Sequence, residues 1–221
     1  MNIRIGASLS CANNLALAKD IEDLIKNKVD FLHIDIMDGI FVKNYCFGTN
    51  ILDYLTVYKN IEIDAHLMVC DPFEKIDFFR GKSLTRMSFH MEACDNPIQT
   101  LKKIRSFGFK AGIAINAGTH ESSLKYLYEF ADYILVMAVE AGFTGQEFIE
   151  SAVEKVSNIR VELEKKKCSI DIYVDGHITP FTVNKLFKAG ANAFIGGSAG
   201  LFRKDKTIKK SIEDLKNSIY E

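Results

Sequence analysis

Four side chains able to share a cation sit on three short apolar runs of this 221-residue sequence. In Phe31-Leu32-His33-Ile34-Asp35-Ile36-Met37-Asp38-Gly39, an extended backbone alternates its side chains. His33, Asp35 and Met37 then share one face, and Leu32, Ile34 and Ile36 the other. Asp64, His66 and Met68 alternate in the same way with Ala65, Leu67 and Val69, and Ile172-Tyr173-Val174-Asp175-Gly176 carries Asp175 at its end. If helices cover the apolar faces, the polar ones point into a common interior, where an unpaired carboxylate is costly or takes up a proton. One divalent cation held by His33, Asp35, His66 and Asp175 stabilises such a cluster. The mixed imidazole and carboxylate set suits Zn²⁺ first, with Fe²⁺, Mn²⁺ or Co²⁺ as alternatives, and leaves room for substrate oxygens. Either histidine alone reads better as a hydrogen-bonded core group; four such residues on one face point to metal.

A second chemistry is suggested by glycine-rich turns. Gly142-Phe143-Thr144-Gly145-Gln146, Gly176-His177 and Gly196-Gly197-Ser198 each follow an apolar run. Glycine lets backbone N–H groups approach an anion closely, and a helix start favours its negative charge. Turn glycines are common, so it is their recurrence on the last three runs that suggests a phosphate.

The elements that must position these groups are legible as an alternation of two periods. Short β-branched or aromatic runs predict strands at Ile3–Ser8, Phe31–Met37, Ile61–Val69, Leu84–His90, Lys110–Asn116, Tyr133–Val139, Ile170–Asp175 and Ala193–Gly196. Helical spacing fills several gaps. Asn13–Lys26 presents Leu15, Ala18, Ile21, Leu24 and Ile25 as one face, and Pro97–Phe107 follows Asn96 as a candidate N-cap. Gln146–Lys166, Pro180–Ala189 (Thr179 as N-cap) and Asp205–Ser218 behave similarly, with Gly108 and Gly190 as stops. Eight βα units in so short a chain, without a GxGxxG first turn, predict an α/β fold of the closed (β/α)8 TIM-barrel type over residues 1–221 as one domain. Chemistry is then expected at the C-terminal ends of the strands.

Bulk properties bound the function class. Hydrophobic residues make up 48% and charged residues 26%, and the formal net charge of −1 offers no basic surface for nucleic acid or an anionic membrane. The lysines at Lys165–Lys167 and Lys204–Lys210 read as solvated faces. Five cysteines without a CxxC pair argue against a disulfide framework. No signal-peptide-like start and no membrane-length apolar run is visible, so a cytoplasmic protein is expected.

The segments His33–Gly39, Ala65–Val69, Gly142–Gln146, Val174–Gly176 and Gly197-Ser198 resemble the ribulose-phosphate 3-epimerase family, and the resemblance runs from Ser8 to Phe202. It implies a metal-dependent isomerase of carbohydrate metabolism (the pentose phosphate pathway) that acts on a small ketose phosphate, usually as a homo-oligomer. By the same resemblance, His33, Asp35, His66 and Asp175 bind the metal, and Asp35 and Asp175 form the acid–base pair. Ser8 and His66 contact substrate, and Met37, Met68 and Met137 line the pocket, although core filling is the competing reading of the methionines. Gly142, Phe143, Thr144, Gly145, Gly176, His177, Gly197 and Ser198 hold the phosphate and neighbouring hydroxyls.

This sequence departs from the family pattern at Lys43, Ala117 and Ala141, where proline is usual, and at His177, where a second glycine is usual. The resemblance implies ribulose 5-phosphate as substrate. Gly200-Leu201-Phe202 looks more like hexulose-phosphate members such as allulose-6-phosphate 3-epimerases. Two rivals stand beside this reading. Barrel lyases related to orotidine-phosphate decarboxylase carry an Asp-x-Lys segment at a strand end, where Asp35-Ile36-Met37 has methionine. A non-catalytic sugar-phosphate-binding barrel has only the loop departures in its favour.

Overall fold

A computed structural model describes residues 3–220; Met1, Asn2 and Glu221, which the single-domain expectation includes, lie outside the described residues. Eight parallel strands close into a barrel in chain order: β1 (Arg4–Ser8), β2 (Phe31–Met37), β3 (Glu62–Met68), β4 (Arg86–His90), β5 (Lys110–Ile115), β6 (Tyr133–Met137), β7 (Asp171–Asp175) and β8 (Ala193–Gly196), with β8 pairing back onto β1. The helices are α1 (Leu17–Lys26), α2 (Ile51–Tyr54), α3 (Pro72–Lys75), α4 (Pro97–Ser106), α5 (Ser151–Lys165), α6 (Pro180–Lys188) and α7 (Ile208–Ser218). No helix among the described residues is long and apolar enough to cross a membrane.

Strand alternation sorts the side chains into two cores. Leu32, Ile34, Ala65, Leu67, Ile172 and Val174 face outward and pack with Ile21, Leu24, Leu101, Ile104, Val183 and Leu186 of the helices. Phe31, Tyr133, Leu135, Tyr173 and Ile195 form a separate cluster. Burying two apolar layers is what lets the barrel tolerate polar residues at its mouth.

At the N-terminal ends of the strands the Arg86 side chain is buried, its guanidinium carbon 5.5 Å from the centre of the Phe31 ring and 5.4 Å from that of Tyr173. Its guanidinium also donates to the Tyr173 hydroxyl and to Glu62. Truncation removes both packing and a buried charge-assisted bond. Arg86→Ala is therefore expected to cost about 2–4 kcal/mol, which thermal unfolding followed by circular dichroism would register as a lowered Tm.

Several helix limits differ from the periodicity. Residues 14–16 form a 3-10 turn held by the Asn13 side chain, which accepts from the Leu15 amide. Leu15 is fully exposed and Ala18 exposed, so the buried face of α1 begins at Ile21. The Asn96 side chain makes no cap; the Asn96 backbone carbonyl accepts from the Thr100 amide and hydroxyl instead. Thr179 and Thr182 form a full capping box at α6. Gly108 (φ +86°) and Gly190 (φ +110°) take the left-handed conformation that ends α4 and α6. After β5, the connection carries a 3-10 turn at Glu121–Leu124.

Candidate active site at the mouth of the barrel

Parallel pairing of β2 with β3 sets Asp64 beside His33 and His66 beside Asp35, while β7 brings Asp175 to the same opening. One ligand atom from each of His33, Asp35, His66 and Asp175 lies within 4.8 Å of all the others. His33 Nε2 is 3.3 Å from Asp35 Oδ1 and 3.7 Å from Asp175 Oδ2; His66 Nδ1 is 3.4 Å from the same Asp35 oxygen. His33 Nε2, Asp35 Oδ1 and His66 Nδ1 are buried and have no hydrogen-bond partner. Buried polar atoms are nearly always satisfied, so three unsatisfied ones converging on one point fit a cation.

The far side of each histidine is occupied. His33 Nδ1 is 2.7 Å from Asp64 Oδ2, and the Tyr133 hydroxyl donates to Asp64 Oδ1 at 2.7 Å. A carboxylate only accepts, so Nδ1 donates to it and Nε2 is the nitrogen turned toward the site, the arrangement found behind metal-ligating histidines. His66 Nε2 is 2.9 Å from His90 Nε2, whose ring lies 4.9 Å from that of Phe41.

Electrostatics split the two aspartates. Burial pushes Asp35 up, but the charge of His33, aided by His66, outweighs it and holds Asp35 well below the ordinary carboxylate range. Burial pushes Asp175 up to about 7; His33 opposes this and the Asp35 charge reinforces it. Burial pushes His33 down, yet Asp35 and Asp64 together hold its proton well above the usual imidazole range. Burial keeps His66 and His90 neutral, with His90 pushed down to about 4.

A metal must displace the His33 proton. Because the metal-free pKa is raised, that proton is present at neutral pH and competes with the metal, and the competition weakens as pH rises. Zn²⁺ affinity is expected to climb by more than about tenfold between pH 6 and 7, because Asp175, pushed up to about 7, must shed its proton as well as His33. Competition titration at fixed ionic strength would measure the climb. A flat profile would contradict a protonated His33.

Above the four residues opens a cleft lined by Ser8, Asp35, Met37, Met68, Met137, Asp175, the 142–145 turn, Gly176, His177, Gly197 and Ser198. His33 and His66 are completely buried and do not line it, so His66 meets the site through Nδ1 alone. Ser8 donates to Asp35 Oδ2 at 2.9 Å. The turn glycines Gly142 and Gly176 have φ of +112° each, which excludes most other residues there. His177 also sits at positive φ (+49°), and its Nδ1 lies 2.7 Å from the Gln146 carbonyl oxygen. That carbonyl only accepts, so the ring donates to the 140–150 loop.

Reading the sequence missed Asp64 as a partner of His33, as well as Ser10, Cys11, Glu140 and Gln146 in the cleft wall. It also missed His90, although Arg86, Ser88 and His90 alternate with Met87 and Phe89 in the same way as the residues of β2.

Residues 4–202 match the model of the ribulose-phosphate 3 epimerase family. The chain is 34% identical over 219 residues to the chloroplastic ribulose-5-phosphate-3-epimerase of Arabidopsis thaliana, covering 98% of this chain and 77% of that protein. It is also 34% identical over 217 residues to the ribulose-phosphate 3-epimerase of Bacillus subtilis (strain 168), covering 98% and 99%. Among solved structures, the 3-hexulose-6-phosphate synthase of Salmonella typhimurium superposes with a TM-score of 0.69 at 17% identity, covering 99% of each chain. The phosphoribosyl anthranilate isomerase of Thermus thermophilus gives 0.68 at 10%, covering 99% of this chain and 98% of that one. At these identities the two structures share the fold alone.

Proposed function

The chain belongs to the ribulose-phosphate 3 epimerase family of isomerases, and from that premise we propose that it inverts C3 of D-ribulose 5-phosphate to give D-xylulose 5-phosphate. One divalent cation, Zn²⁺ first and Fe²⁺, Mn²⁺ or Co²⁺ otherwise, would be held by His33, Asp35, His66 and Asp175. The observation that carries this reading is the convergence of three unpartnered buried ligand atoms beside two aspartates of opposite protonation tendency.

When bound, the cation supplies Lewis acidity for the negative charge that develops on the substrate oxygens as the weakly acidic C3 proton leaves. The remaining work falls to the chain. Asp35, held ionised, accepts a proton; Asp175, which tends to keep one, donates to the opposite face; in the reverse direction the roles exchange. A single base would return the proton to the face it came from. Ser8 orients Asp35 through its second oxygen, and Met37, Met68 and Met137 keep the reacting carbon dry. The amides of Gly142 to Gly145, Gly176, Gly197 and Ser198, with the Thr144 hydroxyl, hold the phosphate, with Phe143 and His177 at the edge of that cradle.

A hexulose 6-phosphate is the second reading, carried by His177: its side chain changes the rim where the phosphate end must sit. The same reading makes the protein one barrel domain, a cytoplasmic homo-oligomer acting on a small molecule, without nucleic-acid or membrane partners. NMR of ribulose 5-phosphate and allulose 6-phosphate incubated side by side, with and without chelator, tests it. Xylulose 5-phosphate is expected to form faster than fructose 6-phosphate, in a chelator-sensitive way. Carbon–carbon cleavage, or binding without any change at C3, would defeat it.

A further inference from the structure

His66 can ligate through Nδ1 only if that nitrogen carries no proton, and the atoms that decide this lie on β4 and beyond. His90, completely buried, places Nε2 at 2.9 Å from His66 Nε2 and Nδ1 at 3.3 Å from Glu92 Oε2. The other Glu92 oxygen accepts from the Asn116 amide at 2.7 Å and from the Thr119 hydroxyl. An ionised carboxylate cannot donate, so the proton between Glu92 and His90 sits on His90 Nδ1. In a neutral ring His90 Nε2 is then bare and must accept. His66 Nε2 is therefore the donor, and His66 Nδ1 is left as a free lone pair facing Asp35 Oδ1 at 3.4 Å. Each link forces the next, and the last link is one of the three unpartnered atoms at the site.

We propose that Glu92 and His90 are positioning residues that fix His66 as its Nε2–H tautomer and hold its Nδ1 open as a metal ligand. This rests on the metal-centre reading above. Neither residue lines the cleft, so the pair acts on the site only through His66.

The test is Glu92→Gln. The Asn116 amide can only donate, so it keeps the glutamine carbonyl oxygen on its side and turns the NH₂ toward His90 Nδ1. Every proton in the chain must then reverse: His90 carries its proton on Nε2, and His66 carries one on Nδ1, where it blocks the metal. Long-range ¹H–¹⁵N NMR of the metal-free protein reads the His66 tautomer directly, and competition titration reads Zn²⁺ affinity. The wild type is expected to show Nε2–H at His66, and the variant to show Nδ1–H with Zn²⁺ binding weakened about 10–100-fold. A wild type with a proton on His66 Nδ1 overturns the proposal whether or not the variant folds. So does a variant that keeps the wild-type tautomer and binds Zn²⁺ within about threefold of it, well inside the range expected for a lost outer partner. A wild type with the expected tautomer that binds no Zn²⁺ overturns the metal-centre reading, and the proposal with it.

Discussion

Asp175→Asn is expected to lower epimerisation of ribulose 5-phosphate by about 10²–10⁴-fold, the range associated with loss of a positioned general acid or base. The substitution keeps the shape of the side chain at the tip of β7 and retains a carbonyl oxygen able to face the cation. What it removes is the proton that burial and the Asp35 charge hold on this group near neutral pH. Asp35, ionised beside His33, is untouched. The variant should therefore still exchange the C3 proton of the substrate with deuterated solvent while failing to deliver it to the other face. ¹H NMR in ²H₂O separates the two events in one sample. Loss of both would mean that Asp175 is needed for substrate or metal binding rather than as the second acid–base group. Near-normal turnover would defeat the two-base scheme.

Removal of divalent cations is the other large effect. Lewis-acid stabilisation of developing charge contributes several kcal/mol, so thorough chelation should slow turnover by about 10³-fold or more. Zn²⁺, Mn²⁺, Co²⁺ or Fe²⁺ should restore it, whereas Ca²⁺, which favours a cage of more oxygens, should not. The physical reason lies in the donor set. His33 and His66 are fully buried and direct ring nitrogens at two carboxylates, and without a cation the cluster offers only a proton on His33 to offset the charge of Asp35. Initial rates after chelation and stepwise metal addition, followed in a coupled assay for xylulose 5-phosphate, would measure the effect.

Much of this arrangement can be read in the order of residues, because a strand has a period of two. Once Leu32, Ile34, Ala65 and Leu67 are assigned to the outer layer, His33, Asp35 and His66 can only point inward, and the structure places them so. Gly108 and Gly190 mark helix ends because their left-handed conformations leave little alternative. The connections after β2, β3 and β5 were opaque. Their four-residue helices α2 and α3, and the 3-10 turn at Glu121–Leu124, are too short to show a 3.6-residue period.

The start of α5 was placed too early because Gln146 looks helical by propensity. Instead its side chain donates to the carbonyls of Glu140 and Phe143, and the Ile149 amide donates to Ala138. His90 and Glu92 escaped notice for a different reason. Their role depends on which nitrogen faces which oxygen, and spacing along the chain carries no such information. His177 was visible as an odd residue at a turn, but its bond to the Gln146 carbonyl appears only when the 140–150 loop is folded against β7.

The central claim is that His33, Asp35, His66 and Asp175 share one cation, and anomalous diffraction from crystals grown with Zn²⁺ tests it most directly. The account predicts a single anomalous peak per chain within about 2.0–2.2 Å of His33 Nε2, His66 Nδ1 and an oxygen of each aspartate. A fully metal-loaded protein whose peak lies elsewhere, with these four side chains turned apart, would contradict it.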